Sequence, residues 1–210
     1  MGLVPMRISI IAILLFSAIF AFSQESGEIS LHGRYNFSAN FDSSDSYSHT
    51  ISTVIGFTGI HYFNDSLGLF INLNLNFPFV NMTSFDNTLY TTHWGDGIFW
   101  IGIEGLFGAV FIPVNEERFR IPIAVGVNMM SMTTIHDGIG AITRNYGFGM
   151  NFGFQYYVNK NISISLKIFC YVNLISMNER ENIYEFFTDG KKFDNKNWGI
   201  APMIGIGFRL

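Results

Sequence analysis

Charge and cysteine are what this chain has least of. Only 13% of its 210 residues are Asp, Glu, Lys or Arg. Cys170 is the single cysteine, which excludes an internal disulfide and any cysteine-based metal site. The formal net charge of −4 gives no basic surface for nucleic acid. Beyond the N-terminus there is also no long hydrophobic run, so no later segment can cross a membrane as a helix. Yet 49% of the residues are hydrophobic and 17% aromatic, with 23 phenylalanines. That is too apolar for a typical water-soluble surface. A transmembrane β-barrel reconciles the two facts, because it spreads its apolar residues over alternate positions.

The N-terminus is a separate segment. Arg7 precedes an apolar run from Ile8 to Phe22, and Ala21-Phe22-Ser23 places small residues at the cleavage positions before Gln24. Residues 1–23 read as a secretory signal peptide and residues 24–210 as the mature barrel domain. The run is short for a membrane anchor, and no cysteine follows it to carry a lipid.

The C-terminal stretch carries the pattern most plainly. Trp198, Ile200, Pro202, Ile204, Ile206, Phe208 and Leu210 share one face. Gly199, Ala201, Met203, Gly205, Gly207 and Arg209 share the other. A period of two is a strand, and large residues on one face with small or charged ones on the other suit lipid outside and a narrow lumen inside. Between Leu67 and Phe79, leucines and other apolar residues alternate with Gly68, Phe70, Asn72, Asn74, Asn76 and Pro78. Similar alternation spans about 28–41, 98–112, 119–130, 141–158 and 162–175, and a less regular one 49–62, where Val54 and Ile60 break the rule. The expectation is an all-β, eight-stranded, antiparallel up-and-down barrel. Its connections alternate: short turns at Asn64–Ser66, Pro113–Arg118 and Asn159–Asn161, and longer loops such as 81–97, 131–140 and 176–196. Short turns face the periplasm in bacterial outer-membrane barrels, so both termini are expected to be periplasmic and the long loops outside.

The mature chain resembles the small outer-membrane barrels of the OmpA/OmpX/OmpW type through its signal peptide, strand count, loop alternation and final Gly-Phe-Arg-Leu. The resemblance implies a C-terminal signal read by the barrel-assembly machinery. Phe208 lies two residues short of the end, and Leu210 takes the last outward position. Outer-membrane lipid and an extracellular partner at loops 81–97 and 176–196 complete the expected contacts. The OmpW-like members imply a second reading, a carrier or narrow channel for small hydrophobic molecules. Phe70, Trp100, Phe169 and Tyr171 are its candidate contacts, with Met130 and Met203 also inward. Packing that plugs the lumen is preferred, because eight strands enclose little more than their own side chains.

Within the lumen Glu104 is the one acidic side chain expected near mid-height, facing Arg34 and Lys167. Arg120 and Arg209 are expected nearer the turn end. A carboxylate in so narrow a space needs a partner, so Glu104 is expected to contact Arg34, Lys167 or both, with the Asn72, Asn74 and Asn76 ladder satisfying the remaining groups. An enzyme is the least favoured reading. His49, His93 and His136 lie towards the outer loops, and Ser84, Ser131 and Asp137 could complete a hydrolase or acyltransferase site, but no spacing singles out a triad. No cofactor or metal is expected. The favoured reading is a structural or surface-interaction barrel with a plugged lumen.

Overall fold

The computed structural model describes residues 27–40, 47–85, 88–93, 98–136, 139–182, 185–193 and 196–210. The expected signal peptide lies outside them. The described residues form ten strands: β1 (Gly27–Asn40), β2 (Tyr47–Asn64), β3 (Leu67–Phe85), β4 (Thr88–His93), β5 (Ile98–Asn115), β6 (Phe119–His136), β7 (Ile139–Tyr157), β8 (Ile162–Asn182), β9 (Glu185–Phe193) and β10 (Asn197–Arg209). β4 pairs with β3 and β9 with β8, which leaves eight strands in the wall. The wall closes because β10 hydrogen-bonds both β1 and β8. All pairings are antiparallel, so no barrel edge is left open.

Three expected loops turn out to be largely ladder. Residues 81–85 continue β3, and β4 folds back on them. Most of 131–140 continues the β6–β7 pair, which runs to His136 and from Ile139. Residues 176–182 continue β8 against β9. In sequence these segments are rich in polar residues and carry no sustained apolar alternation, by which a half-buried strand is recognised, although their backbones pair in the same way.

The outer surface is apolar from strand to strand. Leu31 is 53% exposed, Ile103 55%, Phe148 61% and Ile204 64%. A continuous apolar band of this kind needs lipid around it. Inside, apolar and polar residues are buried side by side. Phe70, Leu106, Ile112, Phe169 and Met203 form a core cluster. Ser30, Asn72, Asn74, Asn128 and Ser163 are buried among the same walls. Val54 and Ile60 broke the alternation because this lumen is partly apolar: Val54 is wholly buried, and Ile60 packs against the core.

Inward glycines explain how so narrow a barrel is filled. A Cβ on Gly149 would lie 2.8 Å from the Phe169 ring, and one on Gly56 would lie 2.7 Å from Asn74 Oδ1. Tyr171 lies in the same way across Gly199, and His32 across Gly205. Each glycine is a gap in the wall that a neighbouring strand's side chain covers, so the glycine runs do not open a cavity at these points.

The two ends differ. At one end, Asn64 Oδ1 accepts hydrogen bonds from the backbone N–H of Ser66 at 3.0 Å and Leu67 at 2.9 Å. Asn159 Oδ1 does the same for Asn161 at 2.8 Å and Ile162 at 2.9 Å. These side-chain-closed turns need only a few residues. The Leu210 N–H bonds Gly27 O at 2.9 Å, so both ends of the wall sit at this turn end. The other, loop end carries the β3–β4 and β8–β9 hairpins.

Candidate functional site in the lumen

Two ionic groups cross the lumen, at different heights. In the upper one Arg34 Nη1 of β1 bonds Glu104 Oε2 of β5 at 2.6 Å, with side chains 0% and 4% exposed. Asn74 Nδ2 donates to Glu104 Oε1 at 3.1 Å and to Asn72 Oδ1 at 2.7 Å. Asn72 Nδ2 donates in turn to Thr58 Oγ1 at 2.8 Å. The Arg34 guanidinium also lies 5.5 Å from the Phe169 ring centre. A buried charge pair is costly unless its remaining groups are hydrogen-bonded; the asparagine chain supplies that on the acid side, while Arg34 Nε and Nη2 find no acceptor among the described residues. Asn76 is buried on the same strand, and its Oδ1 has no hydrogen-bond partner among the described residues.

Lys167 does not join this pair. It meets Glu28 of β1, its Nζ 3.9 Å from Oε1. Glu28 is a second inward acid, 8% exposed, so Glu104 is not alone in the lumen. Ser163 Oγ donates to Glu28 Oε2 at 2.9 Å, and Gln155 Nε2 bonds the same oxygen. The reason for this partner choice is geometric. Lys167 shares a hydrogen-bond row with Met203 and Arg34, and Glu104 shares one with Asn74, Gly56 and Ser30. Barrel strands tilt, so such a row climbs around the wall rather than staying level. Going from β1 towards β5 the row rises, and Glu104 meets Arg34, four residues beyond Ser30. Going from β1 towards β8 it falls, and Lys167 meets Glu28, six residues before Arg34. Counting residues along each strand from its end misses this climb.

Arg120 and Arg209 flank Tyr157 at the turn end, their guanidinium carbons 5.2 Å and 4.6 Å from its ring centre. Arg120 Nη1 also reaches the hydroxyls of Tyr62 and Tyr157, each at 3.4 Å. Neither arginine touches Glu104.

Most of the candidate contacts for a hydrophobic ligand are taken up by packing. Phe169 and Tyr171 stack at 5.4 Å, and the Tyr171 hydroxyl donates to Asn36 Oδ1 at 3.2 Å. Phe70 and Trp100 are 2% and 7% exposed. A cavity of about 60 Å³ lies in the turn half, lined by Glu28, Lys167, Arg120, Gln155, Phe70 and Ile112 among others.

Only part of the loop-end candidate set lies among the described residues. Asp137 lies outside the described residues, as do the side chains of Ser84 and His136. His93 is exposed at the end of β4, and Ser131 is partly buried in β6. His49 faces outward in an aromatic group: its ring centre is 5.1 Å from that of Phe37, which is 5.5 Å from that of Trp198. Among the described residues, no group of three or more His, Cys, Asp or Glu is placed to hold a metal ion. Phe208 and Leu210 both point outward, 51% and 58% exposed.

Solved structures share this architecture. Neisserial surface protein A matches over 88% of this chain and 97% of its own, with a TM-score of 0.51 and 10% identity. The outer membrane protein OprG from Pseudomonas aeruginosa matches over 88% and 96%, with a TM-score of 0.50 and 14% identity. The fold is that of the small outer-membrane β-barrels. At such identities the likeness carries the fold alone. No protein-family model matches the chain, and no curated protein matches it in sequence. Glu28 was the acid that sequence reasoning missed. Its place at the start of β1, on the same parity as Ser30, His32 and Arg34, is the signal that would have found it.

Proposed function

We propose that this barrel sits in a bacterial outer membrane with both ends in the periplasm, closed to through-flow, and acts as a structural or surface-interaction protein. The observation that carries the reading is the filled cross-section at mid-height. The Arg34–Glu104 pair, the Asn72–Asn74 chain and the Phe169–Tyr171 stack occupy the level where a pore would have to pass. The two hairpins at the loop end support a role in contact beyond the membrane, since paired backbones hold a surface in a fixed shape. The C-terminal Phe208 and Leu210 suit recognition by the barrel-assembly machinery, and the apolar band suits outer-membrane lipid.

Orientation is tested by protease treatment of intact cells, followed by mass spectrometry of the fragments. Cleavage is expected within 81–97 or 176–196, with Asn64–Ser66 spared. Cleavage confined to the short turns would reverse the topology and remove the surface role.

A further inference from the structure

The cavity of about 60 Å³ in the turn half of the lumen has an uneven charge balance. Two cationic side chains line it, Lys167 and Arg120, against one carboxylate, Glu28. That carboxylate is already engaged: its Oε2 accepts from both Ser163 and Gln155. Its contact with Lys167 is a loose 3.9 Å, beyond hydrogen-bond reach. The Lys167 side chain, on a residue only 8% exposed, lines the cavity and makes no hydrogen bond to any described residue. Arg120 is similarly underused. Its two hydrogen bonds to tyrosine hydroxyls are long, at 3.4 Å, and its Nε finds no acceptor among the described residues. A lumen walled by lipid-facing strands does not hold surplus positive charge without a counter-charge.

We infer that this cavity is a binding site for a small organic anion, a short-chain monocarboxylate, held by Lys167 and Arg120. Size and wall chemistry select the class. One water needs roughly 10–15 Å³ on this measure, so the space takes about four to six non-hydrogen atoms. The rest of the wall is mainly apolar, with Phe70, Ile60, Val110, Ile112 and Ala124 set among the polar Thr58, Asn72 and Asn151. A carboxylate with a tail of one to three carbons fills both halves. Inorganic phosphate has the charge but no apolar part, so it would leave the mainly apolar share of the wall against polar oxygens, which is the costlier match. Access is from the turn end. A second, open pocket of about 300 Å³ there shares Tyr62 and Arg120 with the cavity, so these two side chains border both. Towards the loop end, the Arg34–Glu104 pair and the Phe169–Tyr171 stack close the way. The site is a dead end, consistent with a closed lumen, and under the proposed orientation it samples the periplasm.

The test is titration of the refolded full-length mature barrel with acetate, butyrate, octanoate and inorganic phosphate, followed by calorimetry and by chemical shifts of 13C-labelled ligand. Saturable binding of butyrate at one site per barrel is expected, with octanoate and phosphate failing to compete. Lys167→Gln should weaken butyrate binding by about tenfold or more, and Arg120→Gln should weaken it too. Ala124→Leu fills the apolar half without touching a charge, and should reduce butyrate binding more than acetate binding. Each variant is first checked for heat-modifiable gel mobility, the mark of a folded barrel. Absence of saturable binding to the wild-type barrel overturns the inference, and needs no variant to do so. Binding of phosphate as strongly as butyrate overturns the carboxylate assignment. Butyrate binding unchanged in folded Lys167→Gln or Arg120→Gln places the ligand elsewhere and also overturns it.

Discussion

Replacing Glu104 with alanine should cost about 3–5 kcal/mol of barrel stability, the range for breaking a buried ion pair from one side. The structure supports that range over the ~0–1 kcal/mol of a surface pair. Arg34 keeps its charge in a place where its side chain is 0% exposed, and loses its 2.6 Å partner. Asn74 loses one acceptor but keeps Asn72 at 2.7 Å, so it adds little to the cost. The stranded guanidinium therefore dominates. Two further variants isolate it. Glu104→Gln keeps the shape and an acceptor oxygen, and should lose less than Glu104→Ala. The double variant Arg34→Met, Glu104→Leu removes both charges, and should recover most of the loss, because apolar replacement of a whole buried pair is often near neutral. The assay is urea unfolding in lipid vesicles, followed by tryptophan fluorescence and gel mobility. A loss below about 1 kcal/mol for Glu104→Ala, or a double variant no better than the single, would refute the reasoning.

Further expectations follow from facing. Cys170 lies on the outward side of β8 between Ile168 and Val172, and should react readily with apolar thiol reagents and slowly with charged ones. Fast labelling by a charged, membrane-impermeant reagent would put it in the lumen instead. In a Trp94→Phe background, brominated lipid should quench Trp198, which faces outward with Phe37, and spare Trp100, which is 7% exposed inside; adding Trp198→Phe should remove most of the quenching and adding Trp100→Phe little of it. Gly199→Val should destabilise by about 1–3 kcal/mol in the same urea assay, because its side chain would collide with the Tyr171 ring held across it. An unchanged midpoint would mean that Tyr171 is not held there.

Facing was legible in the sequence wherever the lumen side is small or polar. From Leu67 to Phe79 the apolar-and-asparagine alternation alone assigns the buried asparagines to the inside. It fails at Val54 and Ile60, because a side chain packed in a filled lumen is as apolar as one facing lipid. The irregularities were not legible. Ser52 pairs with Pro78 and Ile51 with Val80, leaving Phe79 as an extra residue. Tyr146 pairs with Ile175 and Gly147 with Asn173, leaving Leu174 extra. A bulge resets the parity of everything beyond it and has no single residue signature, although the proline beside the first one, with no N–H to give the ladder, marks a place where one is tolerated. The lumen site was half legible. Composition and parity place Glu104, Arg34 and Lys167 inside. Which cation meets which acid depends on the tilt of the rows, and that tilt is a property of the closed barrel rather than of any one strand.

The central claim is a closed lumen, and planar-bilayer recording of the refolded barrel tests it most directly. The wild-type protein should insert with no sustained unitary conductance, because the Arg34–Glu104 pair and the Phe169–Tyr171 stack fill the mid-height cross-section. A steady, reproducible open level from the folded wild-type barrel would contradict it.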